Sequence, residues 1–103
     1  MAELYVPFSW HEAIWLEGHR IAEPGEGWKM IDSGETELTG AFPINASGGV
    51  LSSNPIGASG LLRFAEAANQ VRGMAGEHQV DGAKIAVAQA YGAAAQYLSL
   101  IHI

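Results

Sequence analysis

A glycine-rich segment that leads directly into a helix is the feature that most constrains what this chain can fold into. Residues 44–60 read INASGGVLSSNPIGASG. Glycines at this density allow positive φ angles and a close approach of the backbone to other groups. Successive backbone N–H groups in such loops can hold an anion, and the helix N-terminus that follows also favours negative charge. The segment is therefore a candidate ligand loop, with a purely structural tight turn as the alternative.

The residues after this segment repeat apolar side chains at helical spacing. The predicted apolar face consists of Leu61, Phe64, Ala65, Ala68 and Val71. Polar side chains take the other side, namely Arg63, Glu66, Asn69 and Gln70. Ser59 is a suitable N-cap for this helix, and Gly73 or Gly76 can end it.

An earlier helical pattern covers residues 8–21. Ser9 and Glu12 have the spacing of a capping box. The predicted apolar side contains Trp10, Ala13, Ile14 and Ile21, and Trp15 and Leu16 widen it. Residues 22–43 contain glycine and proline breaks, with a short turn predicted near residues 28–31. Strand patterns cover residues 2–6, 83–90 and 93–97. This order of strands and helices predicts the α/β class.

Composition and charge exclude several classes of protein. None of the 103 residues is a cysteine, which excludes disulfides, thiolate metal sites and a cysteine nucleophile from this chain. The net charge is −6, and no basic stripe is present, so nucleic acid is not expected as a partner. No apolar run has the length of a membrane span, and the N-terminus has no signal pattern. We therefore expect a cytoplasmic protein.

Other local patterns carry little chemistry. The glycine segment has neither the Lys-Ser/Thr pair of a P-loop nor GxGxxG spacing. His11 and His19 do not have the spacing of a helical metal pair, and no metal site is expected. The last six residues, LSLIHI, match one reading frame of a common sequencing-library adapter. We therefore expect residues 98–103 to be foreign to the natural protein and residues 1–97 to form the domain.

Three stretches of the chain resemble the thiolase superfamily. Residues 45–60 resemble the motif of the thiolase C-terminal domain that runs approximately N-x-x-GG-x-x-x-x-GHP-x-G-A-S/T-G. Residues 76–84, GEHQVDGAK, are similar to the family's ERQV-x-GAK stretch. Residues 3–9, ELYVPFS, take the place of its E-x-HDCFS corner between a strand and a helix. The resemblance predicts the C-terminal portion of a thiolase-like fold, a mixed sheet with buried and covering helices.

The same resemblance implies an activity. Thiolases join or cleave acyl-CoA thioesters by Claisen chemistry, in which a cysteine of the N-terminal half attacks the thioester and the GHP histidine activates that cysteine. Oxyanion holes stabilise the charged intermediates. No cofactor is implied beyond the coenzyme A thioester that serves as substrate. The implied partners are acyl-CoA, an N-terminal thiolase half and further copies of the same protein.

The chain departs from the family at its chemical positions. Asn54 stands at the GHP histidine, and Tyr5 and Pro7 stand at the histidine and cysteine of HDCF. Asparagine cannot accept a proton near neutral pH, although it can donate a hydrogen bond to an oxyanion. In the final loop the family often has a cysteine or histidine followed by a glycine run, and this chain has Tyr91 followed by GAAA at residues 92–95. The predicted catalytic residues are Asn54, Tyr91 and Tyr5, and the predicted binding loop contains Ser47, Gly48, Gly49, Gly57, Ser59, Gly60 and Gly92.

Three functions remain open on these residues. The first is a thiolase-like acyltransferase that is inactive as this chain alone, with Asn54 as an oxyanion donor. The second is a thiolase-like retro-aldolase that cleaves a CoA thioester with Tyr5 and Tyr91 and has an OB-fold partner. The third is a non-catalytic subunit that binds acyl-CoA or lipid. A structural role is the alternative for each residue, since Asn54 before Pro55 can shape a turn and tyrosines commonly pack in cores.

Overall fold

The computed structural model describes the backbone of residues 1–92 and 95–102 and the side chains of residues 1–91. The strands are β1 (Ala2–Glu3), β2 (Ile85–Gly92) and β3 (Ala95–His102). The α-helices are α1 (Ser9–Gly18), α2 (Gly27–Asp32), α3 (Gly49–Ser52) and α4 (Ser59–Val71). Short 3-10 turns cover Ile56–Ala58 and Gly76–His78. Among these helices none is long and apolar enough to cross a membrane.

The described strands form one mixed sheet in the order β1-β2-β3. β1 runs parallel to β2, with Ala2 opposite Val87 and Glu3 opposite Ala88. β2 and β3 form an antiparallel hairpin, and all four helices lie in the connection between the parallel strands. The predicted α/β class with a mixed sheet is confirmed. The foreign origin of residues 98–103, which contribute to β3 up to His102, stays a prediction.

Each face of the sheet has its own apolar core because side chains alternate along β2. On one face, small side chains allow α4 to lie close to the strand: Ala67, Val71, Ala86 and Ala88. On the other face, the larger core combines β1, α1 and the residues around them: Ala2, Leu4, Trp15, Leu16, Ala22 and Ile44. Val87 on β2 packs against this second core. The sheet is thus covered by helices on both faces.

The buried side of α1 differs in part from the prediction. Trp10 and Ile14 are 57% and 46% exposed, whereas Trp15 and Leu16 are buried. The capping box is also wrong, because Ser9 is the first helical residue and no side chain caps the helix at Phe8. The rotation of α1 is set by Trp15, whose indole Nε1 donates to the Tyr5 carbonyl at 2.7 Å. This bond, together with the burial of Leu16 in the same core, orients the Trp15 side of the helix inward.

The buried side of α4 was likewise predicted wrongly. Leu61 and Phe64 are 71% and 42% exposed, and the sheet side of the helix carries Ser59, Arg63, Ala67, Gln70 and Val71. Ser59 and Gln70 point inward because they form hydrogen bonds there, and Arg63 lies 3.8 Å from the buried Glu3 carboxyl. Ser59 is not an N-cap either, since it is the first residue of the helix and has no capping bond. The leucine and phenylalanine side chains of α4, which are Leu61, Leu62 and Phe64, are exposed.

The glycine-rich segment is divided rather than forming one open loop. It contains α3 and the 3-10 turn Ile56–Ala58, and the backbone turns at Asn45 and Gly48 with φ of 52° and 89°. Gly60 serves a different purpose, because a Cβ at this position would lie 2.6 Å from the Cβ of Ala90. The absence of a side chain at Gly60 therefore allows the start of α4 to touch β2.

The close approach at Gly60 gives a stability prediction. Gly60→Ala introduces the overlap with Ala90, and such overpacking costs about 1–3 kcal/mol. Alanine is the better helix former by about 1 kcal/mol, so the expected net result is a modest fall in the free energy of unfolding, with a larger fall for Gly60→Val. Urea denaturation followed by circular dichroism measures both.

Gly57→Ala is the matched control, because no atom lies within 4 Å of a Cβ built at Gly57. That variant is expected to match or exceed the wild-type stability. Equal stabilities for Gly57→Ala and Gly60→Ala would show that the contact between α4 and β2 does not depend on glycine.

Candidate functional site

The site begins at the corner between β1 and α1. Sheet pairing of β1 stops at Glu3, and the next two backbone N–H groups donate to side chains instead. Leu4 N donates to Asn45 Oδ1 at 2.7 Å, and Tyr5 N donates to Gln89 Oε1 at 2.9 Å. Trp15 Nε1 donates to the Tyr5 carbonyl. Both polar groups of the Tyr5 backbone are therefore held by side chains from other elements.

The three predicted catalytic residues lie together at this corner. The rings of Tyr5 and Tyr91 are stacked, with centroids 6.3 Å apart and planes 2° from parallel. The Tyr5 hydroxyl donates to Asn54 Oδ1 at 3.5 Å, and Trp15 packs against Tyr91 with a centroid distance of 6.4 Å. We call Tyr5, Asn54 and Tyr91 the tyrosine–amide cluster. Residues far apart in the sequence thus form one group of phenols and an amide.

Asn54 is attached to the start of α4. Ser59, the first residue of that helix, donates its hydroxyl to Asn54 Oδ1 at 2.7 Å, and Ser59 is buried. The carbonyl oxygen of Asn54 therefore accepts from two hydroxyl groups, which leaves the Nδ2 amino group as the donor that faces other partners. The residue itself is exposed. The arrangement can donate a hydrogen bond to a ligand oxygen, and its phenols can exchange protons.

The rest of the predicted binding loop serves two separate places. Ser59 and Gly60 support the tyrosine–amide cluster, whereas Ser47, Gly48 and Gly49 lie at the other end of the segment. Gly57 lies in the open 3-10 turn, and Gly92 ends β2 opposite Ala95. Ala93 and Ala94 of the GAAA run, residues 92–95, lie outside the described residues.

A buried carboxylate holds the early part of the loop. Glu3 is fully buried; its Oε2 accepts from Ser47 Oγ at 2.6 Å and its Oε1 from Ser47 N at 3.1 Å. Ser47 Oγ in turn accepts from Gly49 N. Arg63, also buried, places its Nη1 3.8 Å from Glu3 Oε2. These contacts tie β1, the loop and α4 together beneath the site.

Burial raises the pKa of the Glu3 carboxyl above its ordinary value of 4.5. The hydrogen bonds from Ser47 and the charge of Arg63 lower the pKa, but burial is the larger effect. Folding therefore favours the protonated carboxyl. Its contribution to stability is present below pH 4.5 and is lost as the pH rises through the raised pKa of the folded state.

An apolar groove of about 440 Å³ lies beside the loop. It is lined by residues 6–9 of the corner, by residues 48–51, and by Ile31 and Ile44. Glu12 is its charged lining residue. The groove offers apolar surface next to the loop that Glu3 holds.

The histidines do not form a metal site within the described residues, where no three histidine and carboxylate side chains are grouped suitably. His11 stacks on Trp15 at 5.4 Å, and burial lowers the pKa of His19. His78 places its Nε2 2.9 Å from Glu66 Oε1. These contacts are with aromatic rings and a single carboxylate.

Of the two supporting residues, Trp15 was expected from the sequence only as part of an apolar helix face, and Gln89 was not singled out. A usable signal was present for Gln89, since it shares one face of β2 with Val87 and Tyr91 by simple alternation. A glutamine on an otherwise apolar strand face needs a hydrogen-bond partner. The partner itself, the Tyr5 amide more than eighty residues away, could not be read from the pattern.

Comparison with known proteins gives consistent matches. The family model described as thiolase C-terminal domain-like matches residues 1–101. Sterol carrier protein 2 of Rattus norvegicus and of Homo sapiens are each 41% identical over 86 residues, which is 82% of this chain and 16% of theirs. An acetyl-CoA acetyltransferase of Methanothermobacter thermautotrophicus is 36% identical over 89% of this chain and 24% of its own. The chain thus spans between a sixth and a quarter of the length of these relatives.

The raised pKa of Glu3 predicts how stability depends on pH. Glu3→Gln removes the titration, so the difference in unfolding free energy between wild type and variant is expected to move against the wild type as the pH rises above 4.5. Urea denaturation at a series of pH values measures this difference.

Ser47→Ala supplies the companion measurement. It removes a hydrogen bond that lowers the Glu3 pKa, so the decline should extend to higher pH in that variant. A stability difference between wild type and Glu3→Gln that does not change with pH would contradict the assignment.

Proposed function

This chain belongs to the thiolase C-terminal domain-like family, and from that premise we propose that it forms the C-terminal half of an acyl-CoA acyltransferase site. The observation that carries the proposal is the tyrosine–amide cluster, in which Asn54 accepts from the Tyr5 hydroxyl and Tyr5 stacks on Tyr91. By the sequence resemblance, Asn54 corresponds to the histidine of the family's GHP motif. The acetyltransferase among the relatives has a name that agrees with this chemistry. The proposed reaction is Claisen condensation or thiolysis of an acyl-CoA thioester.

Asn54 is proposed to polarise the thioester carbonyl. Its Oδ1 is engaged by Ser59 and Tyr5, so Nδ2 is the group that can donate to the oxygen on which negative charge develops. An amide cannot take the proton from a thiol near neutral pH. The general base in this scheme is a tyrosine of the cluster in its phenolate form or a group of another segment.

The nucleophile has to come from outside this chain, because the chain contains no cysteine. We propose that an N-terminal thiolase half supplies it and that the chain alone is inactive. Coenzyme A enters as part of the substrate, with no resident cofactor. The proposed setting is a cytoplasmic protein that forms homo-oligomers.

The stacked tyrosines favour a second candidate, a retro-aldolase that acts on a CoA thioester with an OB-fold partner protein. The parallel rings of Tyr5 and Tyr91 put two phenols where the family has histidine or cysteine. A tyrosine in its phenolate form can remove the substrate hydroxyl proton as the carbon–carbon bond breaks. The phenol formed in this way can then protonate the enolate carbon of the CoA thioester product, which completes the proton transfer of a retro-aldol cleavage. The thioester bond stays intact in this reaction.

The apolar groove favours a third candidate, a subunit that binds acyl-CoA or lipid without catalysis. Several relatives are named sterol carrier protein 2. A further relative, from Caenorhabditis elegans and 36% identical over 82% of this chain and 21% of its own, is named non-specific lipid-transfer protein-like 2. The groove of about 440 Å³ is mostly apolar, and such clefts are typical ligand sites.

The exposed apolar side of α4 supports the proposal that an N-terminal half covers this chain. Leu61, Leu62 and Phe64 are 71%, 39% and 42% exposed. Apolar side chains grouped on one helix face commonly mark an interface. The N-terminal half is the proposed occupant, because the relatives are four to six times as long as the matched region.

The covering of α4 is tested with the double variant Leu61→Lys plus Phe64→Lys. The chain alone should bind less 8-anilinonaphthalene-1-sulfonate and stay in solution at higher concentration, because less apolar surface is exposed. The same variant should fail to associate with a separately expressed N-terminal half. The matched control is Lys84→Glu plus Arg72→Glu, which changes charge away from this face. Normal association of the Leu61/Phe64 variant would contradict the proposed interface.

The reaction is tested in the full-length protein that carries this domain. Free CoA thiol and released carbonyl product are followed with a series of acyl-CoA substrates. Thiolysis or condensation supports the acyltransferase, release of a carbonyl product with the thioester intact supports the retro-aldolase, and binding without turnover supports the lipid-binding subunit.

Asn54→Leu tests the role of the amide in the same assay. Loss of an oxyanion donor is expected to lower kcat by about 10²–10³-fold. Ser53→Ala is the control at the neighbouring exposed position and should retain activity. Wild-type kcat in Asn54→Leu would remove Asn54 from the mechanism.

A further inference from the structure

We infer that Gln89 and Trp15 are positioning residues that set the place of the Tyr5 ring against Tyr91. The inference rests on the proposed role of the two tyrosines and adds the device that aligns them. Neither residue bears on the chemistry directly. They act through the backbone of Tyr5.

The clamp consists of two hydrogen bonds on opposite sides of one residue. Gln89 Oε1 accepts from Tyr5 N at 2.9 Å, and Trp15 Nε1 donates to Tyr5 O at 2.7 Å. Gln89 and Trp15 are 1% and 6% exposed, so water does not compete effectively for these bonds. A backbone held at both polar groups has little freedom to rotate, and the direction of its side chain is fixed accordingly.

The clamp replaces the support that a strand would give. β1 pairs with β2 only as far as Glu3, so Tyr5 lies beyond the last ladder hydrogen bond. A longer strand would place the Tyr5 amide on the backbone of β2. Here the longer side chain of Gln89 accepts the hydrogen bond from the Tyr5 amide instead. The chain can therefore leave the sheet plane and turn into α1.

Gln89 and Trp15 also contact the tyrosine pair from two directions. Gln89 lies two residues before Tyr91 on β2 and therefore on the same face of the strand. Trp15 packs on the Tyr91 ring at 6.4 Å. Trp15 therefore contacts the Tyr91 ring, whereas Gln89 ties the Tyr5 backbone to the strand that carries Tyr91. Together they set both members of the stack relative to β2.

The buried amide nitrogen of Gln89 distinguishes this residue from an ordinary core glutamine. Within the described residues, Gln89 Nε2 has no hydrogen-bond partner, although leaving a buried donor unpaired costs about 1–3 kcal/mol. Leucine or methionine would avoid that cost at this position. The single bond to the Tyr5 amide is thus what glutamine contributes here.

Fluorine NMR of the chain labelled with 3-fluorotyrosine tests the inference. The chain has three tyrosines, and their resonances are assigned with single Tyr→Phe variants. Gln89→Met keeps the size of the side chain and removes the acceptor. The expected result is that the Tyr5 and Tyr91 resonances move towards the free amino-acid position, because the stacking is lost. Gln89→Glu, which keeps an oxygen acceptor, should restore them.

Gln70→Met is the matched control for general loosening. Gln70 is also a fully buried glutamine, but its hydrogen bonds run to Glu66, His78 and Val80 on the α4 side of the sheet. Its loss should leave both tyrosine resonances in place. Equal changes in Gln70→Met and Gln89→Met would overturn the inference, and so would unchanged resonances in Gln89→Met.

Hydrogen exchange on the wild-type chain keeps the inference testable if Gln89→Met does not fold. The Tyr5 amide should exchange slowly because it is bonded to Gln89, and exchange at the rate of an unbonded amide would overturn the clamp. In the active full-length protein, Gln89→Met is expected to lower kcat by about 10²-fold with little change in KM, as a misplacement of about 1 Å does. The NMR and exchange results do not depend on turnover, so failure of the clamp and failure of the proposed reaction are distinguishable.

Discussion

The backbone just beyond β1 has to find hydrogen-bond partners inside the protein, and the rest of the site depends on how it does so. A buried N–H group without a partner is costly, and β1 is too short to satisfy the amides of Leu4 and Tyr5 on the sheet. Asn45 and Gln89 accept from them instead. Because these acceptors are side chains, the chain can turn sharply into α1 while the amides of Leu4 and Tyr5 keep their hydrogen bonds. The turn is what brings Tyr5 to Asn54 and Tyr91.

Glu3 adds a second constraint beneath the same corner. A carboxyl group this deeply buried needs hydrogen-bond partners, and here it accepts from the backbone and hydroxyl of Ser47 and lies near Arg63. The proximity of Arg63 to Glu3 explains why an arginine of α4, rather than a leucine, faces inward. Through its hydrogen bonds with Ser47, Glu3 also fixes the start of the glycine segment, whose far end carries Asn54 and Ser59. The loop is thereby anchored at both ends, from β1 at one end and from α4 at the other.

Much of the fold could be predicted from the sequence, whereas the orientation of its helices could not. Strand and helix patterns, with the thiolase resemblance, predicted the α/β class and brought Tyr5, Asn54 and Tyr91 forward as candidates. Apolar periodicity assigned Leu61 and Phe64 to the inside of α4, and they lie outside. Apolar periodicity indicates which side of a helix is buried in the complete folded protein. It does not tell whether the cover is this sheet or another segment, and the pairing of Glu3 with Arg63 has no local sequence signal.

The surroundings of Asn54 connect these orientations with the proposed chemistry. Leu51, Ile56 and Leu61, which flank Asn54 in the sequence, are 98%, 79% and 71% exposed. In this chain alone, water reaches the amide, and hydrogen bonds made in water contribute little to stabilising an oxyanion. A partner that covers the apolar side chains would also exclude water from Asn54 and strengthen its hydrogen bond to a thioester oxygen. Under the proposed function, the surface that joins the two halves and the environment that makes the amide effective are therefore the same feature.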